Sequence, residues 1–338
     1  MKKVVLFPLY ILSIFSEAKS FKTNPVIGNK VLNILGLHVF RTVLSHAIFK
    51  LRQFPLSFVI SKEDKKAFRE NGFILKENFV DSALFENIVK EVRAYNGMAR
   101  QCVQGDTITW RVFLDEAAIK QFPETAKLLN NCDYLSLLKY GAAKNEIPLF
   151  YIQQIRNGVI DQTRPDPQKT LHSDTFHPTM KAWLFLEDVT HDMGPFTYVP
   201  GSQKLSLKRL AWEYKKSIIG KNLNDGYSEK GSMRLTEEER KQLGFNDAKG
   251  FAVKANTLVM ANTNGFHARG NVNGKNITRL EIWAYSRPNP FNPWVGLGTK
   301  FYANLRNNIF NKYLKRCDEK AAKRNAKSSW HVVEGGVV

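Results

Sequence analysis

The 338-residue chain predicts an α+β fold, a jelly roll buttressed by helices, and three observations carry that expectation. The front half, to about residue 140, repeats its apolar residues at helical spacing. From Pro148 the texture changes to short strand-like runs separated by Gly and Pro, the pattern of antiparallel jelly rolls. A 43% hydrophobic content with 12% aromatics is enough to fill a core at this length.

The elements follow in order. Behind Met1-Lys2-Lys3, Val4 to Phe15 is almost wholly apolar, yet shorter than the roughly 20 residues that cross a bilayer. It shares features with a secretory signal, although Pro8 and Glu17 weaken that reading; for residues 1–18 an anchor, a packed helix and a cleaved signal stay open. A helix is expected from about Gly28 to Arg52, with Leu32, Leu35, Val39, Val43, Leu44, Ala47, Ile48 and Leu51 forming one apolar stripe. That stripe suits a helix packed on the rest of the protein or one lying in a membrane surface.

Ser61 and Asp64 open a short helix that ends at Asn71-Gly72. Phe73 to Leu75 reads as a strand, Leu84 to Tyr95 as a helix, and Pro123 to Tyr140 as a helical stretch. Strands are expected at Leu149–Ile155, Ala182–Leu186, Thr197–Val199, Phe251–Val253, Thr257–Met260 and Arg279–Tyr285. Residues 203–248 read as a polar, partly helical insertion that shapes a substrate entrance, and 303–328 as a basic helix. The expected organisation is an apolar, basic segment over 1–60, the jelly-roll domain over 61–300, and a basic helix and tail over 301–338.

The formal charge of +19 is uneven. Residues 1–61 hold eight Lys/Arg against one acid, and 299–338 hold nine against three. No zinc finger, basic zipper or RNA-binding signature accompanies them, and the cations sit beside apolar runs. An anionic membrane surface is therefore favoured as a partner over nucleic acid. Cys102, Cys132 and Cys317 are scattered without CxxC spacing, which excludes a thiolate metal site or a disulfide framework.

One constellation carries chemistry. His172-Ser173-Asp174 places an imidazole and a carboxylate two residues apart, on one side of an extended segment. His267 follows at a distance as a third ligand. Two histidines and one carboxylate leave open positions on a metal, the arrangement that suits Fe(II) binding a keto acid and O2. Arg279, on a strand following His267, offers a forked donor for a carboxylate.

Here the chain resembles the phytanoyl-CoA dioxygenase superfamily, which includes ectoine hydroxylase, over roughly residues 65–290. The resemblance rests on Phe68 to Phe73, on Tyr151-Ile152-Gln153-Gln154, on His172-Ser173-Asp174, on Gly194 to Ser202, and on His267 followed by Arg279. It implies a double-stranded β-helix, Fe(II), 2-oxoglutarate as co-substrate, O2, and hydroxylation of an unactivated C–H bond. By the same resemblance His172, Asp174 and His267 are the iron ligands and Arg279 anchors 2-oxoglutarate. Gln154 and Trp183 line the keto-acid pocket in that comparison, though each also fits an ordinary strand residue.

Gln203 stands where many relatives have His, a departure that leaves the iron ligands untouched. Asp174 favours hydroxylation, or desaturation by the same oxidant, over halogenation, because halogenating relatives lack this carboxylate. The expected substrate is an acidic amphiphile (a lipid, an acyl conjugate or a lipid-linked glycan) met by a cytoplasmic protein at the inner face of the membrane. A soluble small-molecule substrate, a non-catalytic membrane-recruited jelly roll, and zinc hydrolysis are the alternatives.

Overall fold

A computed structural model describes residues 7–159 and 166–335. The start of the apolar run (residues 1–6) and most of the loop before His172 (160–165) lie outside the described residues. In chain order the elements are α1 (Phe7–Leu12), α2 (Lys30–Ile34), α3 (Leu37–Leu56), α4 (Lys62–Asn71), β1 (Phe73–Lys76), α5 (Ser82–Arg93), β2 (Ala99–Gln104) and β3 (Thr107–Phe113). Then come α6 (Pro123–Leu129), α7 (Cys132–Ala142), β4 (Leu149–Asn157), β5 (Met180–Phe185), β6 (Phe196–Tyr198), α8 (Leu207–Ile219) and α9 (Glu237–Leu243). The last are β7 (Lys249–Gly250), β8 (Thr257–Asn262), β9 (His267–Arg269), β10 (Ile277–Ser286), α10 (Lys300–Ala322) and β11 (His331–Val333).

Local chemistry explains most boundaries. The Ser61 side chain accepts from the Asp64 amide and caps α4. Gly72, at φ 88°, ends it in the left-handed conformation that glycine adopts without strain. The expected single helix from Gly28 to Arg52 is two, because Gly36 takes φ 94° between α2 and α3. The stretch from Pro123 to Tyr140 also divides, since the Asn131 side chain accepts from Tyr134 N and starts a new helix. The β2–β3 hairpin and β11 are absent from the expectation; the strands mix polar and apolar residues, although Gly105-Asp106, with Gly105 at φ 58°, is a two-residue turn signal that marked the hairpin.

Two antiparallel sheets form the jelly roll. The larger runs β1-β8-β5-β10-β4-β3-β2-β11 and the smaller β7-β6-β9. One face of the larger sheet carries Phe150, Ile152, Ala182, Leu184, Met260 and Ile282 against α5, α6 and α7. Its other face carries Tyr151, Trp183, Val259 and Trp283 toward Phe196 and Tyr198 of the smaller sheet. Burying one such large apolar side chain contributes about 1.5–3 kcal/mol, so both layers are held chiefly by this alternation.

Among the described residues, none of the insertion 203–248 lines the cavity between the sheets. Its α8 and α9 pack on Phe266 and Val199, and residues 233–235 run beside the loop that carries His172. There Ser173 N donates to Met233 O at 3.0 Å and Leu235 N to Leu171 O at 2.9 Å. The insertion braces the candidate ligands from behind.

A candidate metal centre in the jelly-roll cavity

His172 and His267 face each other as an antiparallel pair, each amide donating to the other's carbonyl at 2.9 Å. Their ring centroids stand 4.5 Å apart. Asp174 is held two residues on, its amide donating to Thr263 O at 3.0 Å. Asp174 Oδ1 lies 3.9 Å from His172 Nε2 and 3.7 Å from His267 Nε2. The three ligand atoms fall within 4.8 Å of one another.

Each imidazole is set for coordination. His172 Nδ1 donates to Thr170 O at 2.8 Å and His267 Nδ1 to Gly265 O at 2.9 Å. A carbonyl only accepts, so Nε2 of each ring carries the lone pair that a metal takes. Burial, with His267 and Arg234 nearby, pushes His172 well below the usual histidine range and keeps it neutral. His267 Nε2 is buried with no hydrogen-bond partner, an orphan that a metal would satisfy. Gly265 is required for this placement, because a Cβ there would come within 1.8 Å of the Tyr198 hydroxyl.

Burial alone would raise the Asp174 pKa, but Lys181 and His267 outweigh it and hold the carboxyl well below its usual range. Lys181 Nζ sits 2.7 Å from Asp174 Oδ2. Lys19, reaching in from the amino-terminal segment, donates to the Asp174 carbonyl. Neither lysine stood out in the sequence. Strand parity offered a signal for Lys181, two residues from Trp183 on the same face of β5.

A cavity of about 420 Å³ opens beside these groups. His267, Arg279 and Trp183 line it, and Trp183 packs on Phe196 at 4.3 Å. Arg279 is buried, donates through Nη1 to Gly194 O, and keeps Nε without a partner. Burial lowers its pKa, opposed by neighbouring Glu281. Gln154 is a correction. It shares the parity of Phe150 and Ile152 on the helix-covered face of β4, whereas Tyr151, Gln153 and Ile155 line the cavity. Gln153 bridges Glu281 and Arg111 there. Of the remaining histidines, His177 is buried against Phe176, away from the cavity lining. Gln203 donates through Nε2 to Arg69 O at 3.1 Å.

The phytanoyl-CoA dioxygenase (PhyH) family model matches residues 68–239, half of the chain. The chain belongs to the phytanoyl-CoA dioxygenase family. It is accordingly an Fe(II)- and 2-oxoglutarate-dependent dioxygenase with a jelly-roll fold, and the non-catalytic and zinc-hydrolase alternatives fall away. His267 and Arg279 lie beyond the matched residues. Among solved structures, the non-haem α-ketoglutarate-dependent epimerase SnoN from nogalamycin biosynthesis is 17% identical, with 68% of this chain and 85% of that one covered and a TM-score of 0.45. HygX from Streptomyces hygroscopicus, with nickel and 2-oxoglutarate bound, is 17% identical, covering 67% and 87% with a TM-score of 0.40. No curated protein sequence matches the chain.

The donor set of this phytanoyl-CoA dioxygenase family member fits ferrous iron: two imidazoles and a carboxylate, all buried or nearly so, with one orphaned nitrogen directed at their common space.

Proposed function

We propose that this oxygenase hydroxylates a C–H bond of an acidic amphiphile at a membrane surface, with His172, Asp174 and His267 holding the iron and Arg279 the distal carboxylate of 2-oxoglutarate. Residues 61–300 would form the oxygenase domain, 1–60 a membrane-associated segment, and 301–338 a basic helix and tail.

One observation carries the substrate class. Arg111, Lys181, Arg269, Arg279 and Arg287 line the cavity with Trp183, Trp283, Tyr151, Tyr285 and Phe310, and no carboxylate joins them among the described residues. Arg269 is engaged by Asp166 at 2.7 Å and Lys181 by Asp174. Arg111 lies 3.9 Å from the Trp283 ring and 4.4 Å from that of Trp330. With Arg279 committed to the keto acid, Arg111 and Arg287 remain for an anionic group, beside aromatic walls for an apolar body.

Iron with 2-oxoglutarate and O2 supplies the oxidant; the chain's part is to place and shelter the reactants. The backbone pair between His172 and His267 fixes two ligands, and the Arg279 guanidinium orients the keto acid. The aromatic walls exclude water from the carbon to be oxidised.

The test is succinate formation after anaerobic Fe(II) loading, screened against acidic and neutral amphiphiles. Turnover stimulated by acidic members is expected; stimulation by uncharged substrates alone would remove the acidic assignment. Arg279→Leu probes the anchor separately. Losing one partner of a buried charge pair costs about 2–5 kcal/mol, so the KM for 2-oxoglutarate should rise about 30- to 4,000-fold. An unchanged KM would exclude Arg279 from this role.

A further inference from the structure

The amino-terminal helix α3 packs with its polar side inward. His38, Arg41, Thr42, Ser45 and Arg52 are buried together with Phe49. Phe40, Val43, Leu51 and Phe54 recur at helical spacing on the opposite side and are exposed by 44–68%. Phe58 and Val59, just beyond the helix, are exposed by 72% and 74%. Among the described residues, thirteen of the twenty-five exposed large apolar side chains lie between Leu9 and Val59, so this surface is concentrated rather than scattered.

Each of the three charged or titratable side chains turned inward has at least one partner, with only His38 Nδ1, Arg41 Nη1 and Arg52 Nε left without one, which makes the orientation a built one. His38 Nε2 meets Glu213 Oε2 at 2.8 Å. Arg41 donates to the carbonyls of Ile14, Ser16 and Ala18, and Arg52 to those of Asn289 and Asn292. Turning the helix over to hide its apolar stripe would bury it at the expense of these contacts.

We infer that the outward face of α3 with Phe58 and Val59 docks in the surface of an anionic phospholipid bilayer. Lys30 and Lys50 stand exposed beside it, and residues 1–61 carry eight cations against one acid. Apolar insertion with cationic flanks is the chemistry of an in-plane membrane helix. A second copy of this chain would bring +19 against +19, which disfavours self-association as the way this face is covered. No described helix is long and apolar enough to cross a membrane; the docking is to one leaflet. The inference rests on the membrane-surface reading above and names its contact. The face is also physically joined to the candidate metal centre, since Arg41 holds the Ala18 carbonyl and Lys19 holds that of Asp174.

The experiment uses the full chain with point variants, because removing residues 1–55 would strip His38 from buried Glu213. Co-sedimentation is measured with phosphatidylcholine vesicles, with and without phosphatidylglycerol. The parent should bind the anionic vesicles, and Leu51→Asp with Phe54→Asp should weaken that binding at least about tenfold while keeping the parent's melting temperature. Asp174→Ala should bind as the parent does. Undiminished binding by the aspartate variant, equal binding to neutral vesicles, or a parent dimer that this variant dissociates would each overturn the proposal. Vesicle binding without succinate formation would sink the catalytic reading alone; turnover without vesicle binding would sink this one alone.

Discussion

Asp174→Ala is expected to leave no detectable substrate-dependent succinate. Two effects act together. The substitution removes the only carboxylate of the candidate ligand set, and a pair of imidazoles is a poor site for a hard, oxygen-seeking keto-acid complex of Fe(II). It also strips Lys181 of the partner 2.7 Å away, so an unpaired ammonium would face the incoming dication. Loss of an outer partner of a metal ligand typically costs 10–100-fold in affinity; loss of the ligand itself should exceed about 100-fold. Equilibrium dialysis of Fe(II) under anaerobic conditions reads the binding and a succinate assay reads the chemistry. A variant that turns over like the parent would remove Asp174 from the metal.

Glu213→Ala is expected to give the largest loss of stability. Glu213 Oε1 takes two bonds from Arg209, at 2.8 and 3.0 Å, and Oε2 meets His38 at 2.8 Å, with all three side chains buried. Breaking a buried pair on one side strands the other charge and costs about 3–5 kcal/mol. For a chain this size that is a fall on the order of 10 °C in Tm. Burial would raise the Glu213 pKa, but Arg209 and His38 outweigh it and bring it to about 2. This lies below the unfolded value of about 4.3. The contribution is therefore complete above that unfolded value and is lost as pH falls through about 2. Thermal melts between neutral pH and pH 2 should show a steeper acid decline in the parent than in Glu213→Gln. Parallel declines would count against the network.

The candidate ligands were legible because His172-Ser173-Asp174 sits in extended chain, where residues two apart share a side, and because Arg279 followed His267 on a strand. Gln154 was misplaced for a related reason. Two adjacent glutamines leave the parity of β4 open, and pairing of Ile155 with Arg279 settles it in favour of Gln153. Arg111 and Trp330 belong to β3 and the tail, which reach the cavity only through sheet order. The stripe on the first long helix was equally visible, yet periodicity says nothing of its destination. Outward orientation follows from the partners of His38, Arg41 and Arg52, all distant in sequence.

The reciprocal backbone bonds between His172 and His267 have a consequence for the life of the enzyme. Two strand segments are joined at the rung that carries both imidazoles by main-chain bonds that use no metal, so stripping a bound ion with a chelator is expected to leave the circular dichroism of the chain unchanged. Succinate formation regained on adding Fe(II) back, with no refolding step, is the outcome that agrees with this.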